Sequence, residues 1–293
     1  MATPQRKLHS LEGIVAAFAL FFVLAITIGF AQAQDAKAHK AVYLKSSSAL
    51  VLDADTGEIV IDKNADAVTP IASITKLMTA MVILDRGLDM DQRIVLSRQD
   101  IDSLKGTRSR LRPGNVLTRV ELLMLALMAS ENRAAAALGR TYPGGIEPFV
   151  ASMNAKAAAL DMKDSRFVDA TGLSPHNVSS ARDLVKLVRA AHEYSLIREF
   201  STKDRASVRV AERGRPLNFH NTNGLVRAHH WEVGLSKTGY ISEAGRCLVM
   251  RVRLASKDLI VVLLDSWGRQ SRIGDANRIK KWVETNATAG RSS

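Results

Sequence analysis

The strand-like segments of this chain lie at its two ends, and that placement limits the folds open to it more than any other feature. Three β-prone runs, Trp231 to Tyr240, Arg246 to Leu254 and Leu259 to Ser266, stand in the C-terminal third, separated by turns at Ser242 to Gly245 and Ser256 to Asp258. Two shorter runs, Ala49 to Asp53 and Ile59 to Lys63, flank Asp55-Thr56-Gly57 and read as a hairpin whose turn carries the expected Asp and Gly. Between these ends the pattern is helical. Ser73 to Arg86 puts Ile74, Leu77, Met78 and Met81 on one face and stops at Gly87. Thr118-Arg119-Val120-Glu121 is a capping box opening a helix to about Ala129, and Ser180-Ala181-Arg182-Asp183 opens another to about Glu193. Ile146 to Leu160 is an alanine-rich helix, and a closing helix spans roughly Arg272 to Thr285. Strands from both ends are expected to meet in one antiparallel sheet with the helices packed on it, an α+β fold.

With 293 residues, 46% of them hydrophobic, the chain can bury one good core, and it shows no internal repeat. The first 33 residues stand apart. Arg6 and Lys7 precede an apolar run from Gly13 to Phe30, which ends at Ala31-Gln32-Ala33, the pattern of a signal peptide with an A-x-A cleavage site. The alternative is an uncleaved anchor, since the run reaches the lower length limit for a membrane span. Cleavage is favoured by the small residues at both recognition positions and the polar segment that follows. The expected organisation is a signal peptide over 1–33, a tether over 34–47, and one catalytic domain over 48–293. Either way the remainder is exported, and the expected compartment is the periplasm.

Lys and Arg total 41 against 29 Asp and Glu, a net charge of +12 that becomes +11 without residues 1–33. An export signal directs that excess toward anionic wall polymers, with weak attachment to lipid headgroups. No aromatic residues interleave with the basic ones, so nucleic acid is not an expected partner. Cys247, the single cysteine, has no intramolecular disulfide partner and lies in an apolar run, so it is assigned to the core. Zinc chemistry would need H-E-x-x-H, and His229-His230 has no patterned third ligand, so neither metal nor cofactor is expected.

Ser73-Ile74-Thr75-Lys76 places a hydroxyl and an amine three residues apart at a helix start, hence on one face. A serine hydroxyl is a weak nucleophile until a base takes its proton, and a lysine of lowered pKa can be that base. The motif alone is weak, because ordinary composition produces it about once in a chain this long. Ser130-Glu131-Asn132 after the Thr118 helix and Lys237-Thr238-Gly239 at the end of a strand change its meaning. The three together, in this order, are the signature of penicillin-binding proteins and class A β-lactamases. Ser152-Met153-Asn154 also fits S-x-N, but falls inside the alanine-rich helix and is read as chance.

From about Ser48 to Val283 the chain resembles the low-molecular-mass penicillin-binding proteins, in the D-alanyl-D-alanine endopeptidase branch of the penicillin-binding protein 7 type. Residues 70–80, 105–111, 130–134, 169–173, 176–178 and 237–240 carry the likeness. It implies a five-stranded antiparallel sheet flanked by helices, with the site between sheet and helices. It also implies Ser73 as nucleophile, Lys76 as its base and Ser130 as the relay that returns the proton to the leaving amine. Asn132 would hold the donor peptide, while Lys237 and Thr238 would face the carboxylate beside the scissile bond. Lys237 would also help lower the pKa of Lys76. With Gly239 completing its motif, the backbone N–H groups of Ser73 and Tyr240 would form the oxyanion hole. Glu131, where other branches carry Asp or Gly, is expected to matter through its backbone.

The partners implied are peptidoglycan stem peptides and crosslinks, with β-lactams as covalent inhibitors. Cleavage of crosslinks is expected over trimming of a terminal D-alanine. That preference rests mostly on the resemblance, helped by the basic charge and by a chain that ends soon after its closing helix. Carboxypeptidase activity is the first alternative. A β-lactamase would need a glutamate to speed deacylation, and Ala151 to His192 contains none. A non-enzymatic wall-binding protein would not need all three motifs.

Overall fold

The first and last strands of the described residues pair in the middle of one sheet. The computed structural model describes residues 42–210, 215–228 and 230–289. In it β1 (Ser46–Asp53), β2 (Ile59–Lys63), β3 (Glu232–Ile241), β4 (Gly245–Leu254) and β5 (Lys257–Ser266) form a five-stranded sheet in the order β2-β1-β5-β4-β3. All neighbours are antiparallel. The β1–β2 hairpin and the three-stranded meander β3–β4–β5 are joined by the pairing of β1 with β5, in the α+β class expected from the sequence.

The central strands read as continuous apolar runs because both faces of the sheet are covered. On one face Val51, Leu263 and Met250 pack with Ala276, Ile279 and Val283 of the closing helix (Ser271–Ala289). On the other, Leu50, Val262 and Val249 pack toward the helical middle of the chain. Each such side chain removed from water contributes roughly 1.5–3 kcal/mol.

β1 begins at Ser46, two residues ahead of the expected start of the domain. The buried Asp275 carboxylate accepts the backbone N–H groups of Lys45 and Ser46 at 2.9 and 2.7 Å and the Ser46 hydroxyl at 2.6 Å. A partner some 229 residues away leaves no local signal. The expected signal peptide, residues 34–41 of the tether and His229 lie outside the described residues. Among the described residues no helix is long and apolar enough to cross a membrane.

Helix α1 (Thr75–Asp85) is buried over every residue from Thr75 to Ile83, where the sequence predicts one apolar face. It runs inside the helical region, against α2 (Arg119–Met128), α3 (Asn132–Arg140), α4 (Ile146–Ala159), α5 (Ala181–His192) and α6 (Ser195–Thr202). A helix enclosed on all sides needs no polar face. The capping box of α2 forms as expected, with Thr118 Oγ1 accepting from the Glu121 N–H and Glu121 accepting from the Thr118 N–H.

Candidate active site

Ser73 sits in a single 3-10 turn, Ala72–Ile74, directly ahead of α1. The chain enters that turn through Ala72 at φ 48°, a left-handed conformation that costs a residue with a Cβ about 1 kcal/mol or more. Neighbours on both sides hold it there. The Thr75 hydroxyl donates to the Ala72 carbonyl at 2.8 Å, and the Ile71 N–H donates to the Asn177 carbonyl at 3.0 Å. Gly172, at φ +79°, approaches so closely that a Cβ would lie 1.9 Å from the Ala72 carbonyl oxygen. From the sheet side, a Cβ on Gly239 would lie 2.9 Å from the Ile71 carbonyl oxygen and 3.1 Å from the Ser73 nitrogen. Two glycines thus let a loop and the edge strand β3 press on the turn that carries Ser73.

One helical turn on, the Lys76 side chain is fully buried. Its Nζ has three partners: Ser73 Oγ at 2.8 Å, Asn132 Oδ1 at 2.7 Å and the Thr171 carbonyl at 2.6 Å. Burial pulls its pKa down to about 7, while the carboxylates of Asp169, Glu131 and Asp102 oppose the shift. The Thr171 carbonyl is positioned by a loop folded around Asp169. That carboxylate accepts the N–H groups of Thr171, Gly172 and Ser174, the Thr171 hydroxyl and the Asn177 amide.

On the other flank the chain leaves α2 through Ser130 at φ 56°, and Glu131 caps α3, whose first residue is Asn132. The Glu131 side chain accepts the Arg133 N–H at 3.3 Å, so it has a part beyond the backbone role expected of it. Lys237 on β3, 1% exposed, donates to Ser130 Oγ at 2.8 Å and to the Thr238 carbonyl at 2.9 Å. Burial pushes its pKa well below the ordinary lysine value, and the charges of Lys76 and Arg272 push it further. The sequence reading gave Lys237 a share in lowering Lys76. Burial is the largest cause at Lys76, and the Lys76 charge also lowers the pKa of Lys237, a repulsion that acts on both amines alike. Arg272 is held on the sheet side by the carbonyls of Gly239 and Cys247, at 2.9 and 3.2 Å.

The predicted residues therefore gather in one place. Ser73, Lys76 and Asn132 share one hydrogen-bond network, and Ser130 and Lys237 form a second. Gly239 touches the Ser73 backbone, with Thr238 and Tyr240 beside it on β3. Thr238 Oγ1 pairs with Thr222 Oγ1 at 2.6 Å, and Tyr240, 56% exposed, has the Arg246 guanidinium 4.5 Å above its ring. The sequence reading assigned no part to Thr171, Thr222 or Arg272. Asp169-Ala170-Thr171-Gly172 carries an Asx-turn signal that could have found the first; nothing local marks the other two. Cys247 is fully buried with its thiol pKa pushed up to about 11, as befits a core residue.

A hydroxyl against a buried amine that is half neutral near pH 7 can lose its proton to that amine. The Lys237 ammonium nearby suits an anionic group on whatever the hydroxyl attacks. This sheet, helix and pair of Ser–Lys contacts define the acyl-transferring serine enzymes of the penicillin-binding-protein fold.

The family model described as D-alanyl-D-alanine carboxypeptidase, peptidase S11, matches residues 34–268. The chain belongs to that family and is a serine-type D-alanyl-D-alanine peptidase. It is 47% identical over 242 residues to a D-alanyl-D-alanine endopeptidase of Pseudomonas aeruginosa, covering 83% of this chain and 78% of the relative. To the D-alanyl-D-alanine endopeptidase of Escherichia coli it is 44% identical, with the same coverage. The crystal structure of the Streptomyces K15 DD-transpeptidase superposes with a TM-score of 0.76 at 26% identity, covering 83% of this chain and 98% of that one.

Proposed function

We propose that this enzyme hydrolyses D-alanyl crosslinks of peptidoglycan through an acyl-enzyme on Ser73. The observation that carries the chemistry is the buried Lys76 amine, with a pKa of about 7, lying 2.8 Å from the Ser73 hydroxyl. Neutral Lys76 takes the Ser73 proton as Oγ attacks the D-alanyl carbonyl carbon, and the backbone N–H groups of Ser73 and Tyr240 meet the oxyanion. As the C–N bond breaks, Ser130 passes the proton to the leaving amine, and Lys237 and Thr238 take the carboxylate beside that amine. Asn132 Nδ2 keeps a second N–H for the donor peptide. Water then hydrolyses the ester and frees Ser73.

The relatives that are 47% and 44% identical carry the endopeptidase name, which favours crosslinks over terminal D-alanine. Penicillins, which present a strained carbonyl and a carboxylate to the same groups, are expected to acylate Ser73 and stay. Asp169, the carboxylate with the largest influence on Lys76, already accepts five hydrogen bonds, which makes it a poor base for emptying an acyl-enzyme as a β-lactamase does. In the test, purified enzyme is given crosslinked dimer muropeptide and monomer pentapeptide separately. Dimer should be converted to monomer; rapid loss of D-alanine from pentapeptide with intact dimer would refute the crosslink preference. A Ser73→Ala protein that still takes up benzylpenicillin would overturn the nucleophile.

A further inference from the structure

A neutral primary amine has two N–H groups and one lone pair. Lys76 has three partners, so which of them meets the lone pair decides whether the amine can act as a base. The Thr171 carbonyl only accepts, and takes one N–H at 2.6 Å. Asn132 is ambiguous, because its amide accepts at one end and donates at the other. With Oδ1 toward Lys76, as observed at 2.7 Å, it takes the second N–H and leaves the lone pair to the Ser73 hydroxyl at 2.8 Å. Turned over, Nδ2 would donate into the lone pair and the base would be occupied.

A chain of polarity outside the signature motifs settles that orientation. Asn132 Nδ2 donates to Thr107 Oγ1 at 3.0 Å. Thr107 has one hydroxyl proton, and it goes to Asp102 Oδ2 at 2.7 Å. An ionised carboxylate accepts only, so Thr107 must present a lone pair to Asn132, and Asn132 must present Nδ2 to Thr107. Asp102 is fixed in turn by the N–H groups of Leu104, Lys105 and Thr107, at 2.8, 2.9 and 2.8 Å. Burial alone would raise its pKa, but the Thr107 hydroxyl and these N–H groups together hold the carboxyl below the ordinary range, so it stays ionised at neutral pH.

We propose that Asp102 and Thr107 are positioning residues that lock the Asn132 amide with its oxygen toward Lys76, reserving the lone pair of the neutral amine for Ser73. Neither touches the reacting atoms. The inference rests on the reading of Lys76 as the base of Ser73, and the test separates the two.

The rate of benzylpenicillin acylation is measured against pH in wild type and in Thr107→Ser, Thr107→Val and Asn132→Asp proteins. Thr107→Val keeps the shape and removes the acceptor. Its plateau rate is expected to fall on the order of 10²-fold, the lower end of what a positioned base contributes, while labelling still reaches one penicillin per chain. Its acidic limb should move to lower pH, because a turned amide favours neutral Lys76. Asp169, Glu131 and Lys237, which also face Lys76, are untouched by the substitution, and Asp102 loses the Thr107 hydroxyl but keeps three backbone N–H donors. Thr107→Ser retains the hydroxyl and should react at nearly the wild-type rate. In the Asn132→Asp background both ends of the side chain accept, so orientation no longer matters and Thr107→Val should cause no further loss. Should Thr107→Val not fold, Thr107→Ala takes its place in the same comparisons. A wild-type rate for the valine protein, or a loss that persists undiminished in the Asn132→Asp background, overturns the inference alone. A wild-type pH profile flat through pH 7, or a wild-type enzyme unlabelled at Ser73, overturns the reading beneath it as well.

Discussion

At the scale of single residues, the site places a lysine where a charge is unwelcome. The Lys76 ammonium is enclosed on all sides, and burial is the largest influence on it, lowering its pKa from 10.5 to about 7. A depressed amine loses its proton as pH rises through the lowered value, so the base form dominates above about 7. Acylation of Ser73 is therefore expected to climb along a limb with its midpoint near 7, and deprotonation of Lys237, whose pKa burial also lowers, opposes that rise by removing charge that meets the carboxylate. Stopped-flow labelling across pH 5 to 10 checks this, and Lys76→Ala should abolish the limb with a loss of ~10²–10⁴-fold. A wild-type profile flat through pH 7 would mean that Lys76 is not the titrating base.

At the scale of elements, the loop that holds Thr107 is tied to the turn after Tyr240 by an ion pair, Lys105 Nζ to Glu243 Oε1 at 2.5 Å. Lys105 and Ser242 hold the Glu243 carboxyl down to about 2, so the pair persists over the whole neutral range. Both side chains are partly exposed, so the pair's value lies in geometry more than stability. Lys105→Glu should leave the melting temperature nearly unchanged yet slow acylation, and the exchanged pair Lys105→Glu/Glu243→Lys should recover it. Equal rates in the single and exchanged proteins would show the tie to be idle.

The sequence made some elements easier to read than others for physical reasons. β2 was placed end to end because its hairpin turn has local chemistry, Asp53 accepting from Asp55 and Thr56 and Gly57 at φ 77°. α2 and α5 were found by their caps, Thr118 and Ser180. α3 and α6 were not singled out. α3 is short, follows α2 after three residues and is rich in alanine, while α6 has Tyr194 before it and no side-chain cap. The same contrast holds in the site: three motifs supply seven residues and the family resemblance adds Tyr240, while Thr222 and Arg272 enter through contacts with β3 residues 16 and 33 positions away that leave no spacing to recognise.

For the whole molecule, a net charge of +12 describes a protein suited to an anionic polymer. Binding to isolated peptidoglycan should weaken as salt rises through ~0.15 M, where surface charges are screened beyond about 8 Å. The same salt should release any membrane-associated fraction, and we propose that the native protein is exported and begins at Gln34. Retention undiminished by salt would assign the attachment to something other than charge, and an intact Met1 terminus would assign it to an uncleaved anchor.

The pairing of β1 with β5 bears on when such a chain becomes active. Ser73, Lys76, Ser130 and Asn132 are all made before β3, but the strand that brings Lys237 and Gly239 against them is anchored through β4 to β5, and β5 alone joins that hairpin to β1. Contacts of such long sequence separation form late and slowly. A chain that emerges with its first strand leading holds Ser73 and Lys76 for most of that passage without the wall that completes their pocket. Hydrolytic competence thus arrives with the last strand, by which time the preceding residues have all emerged.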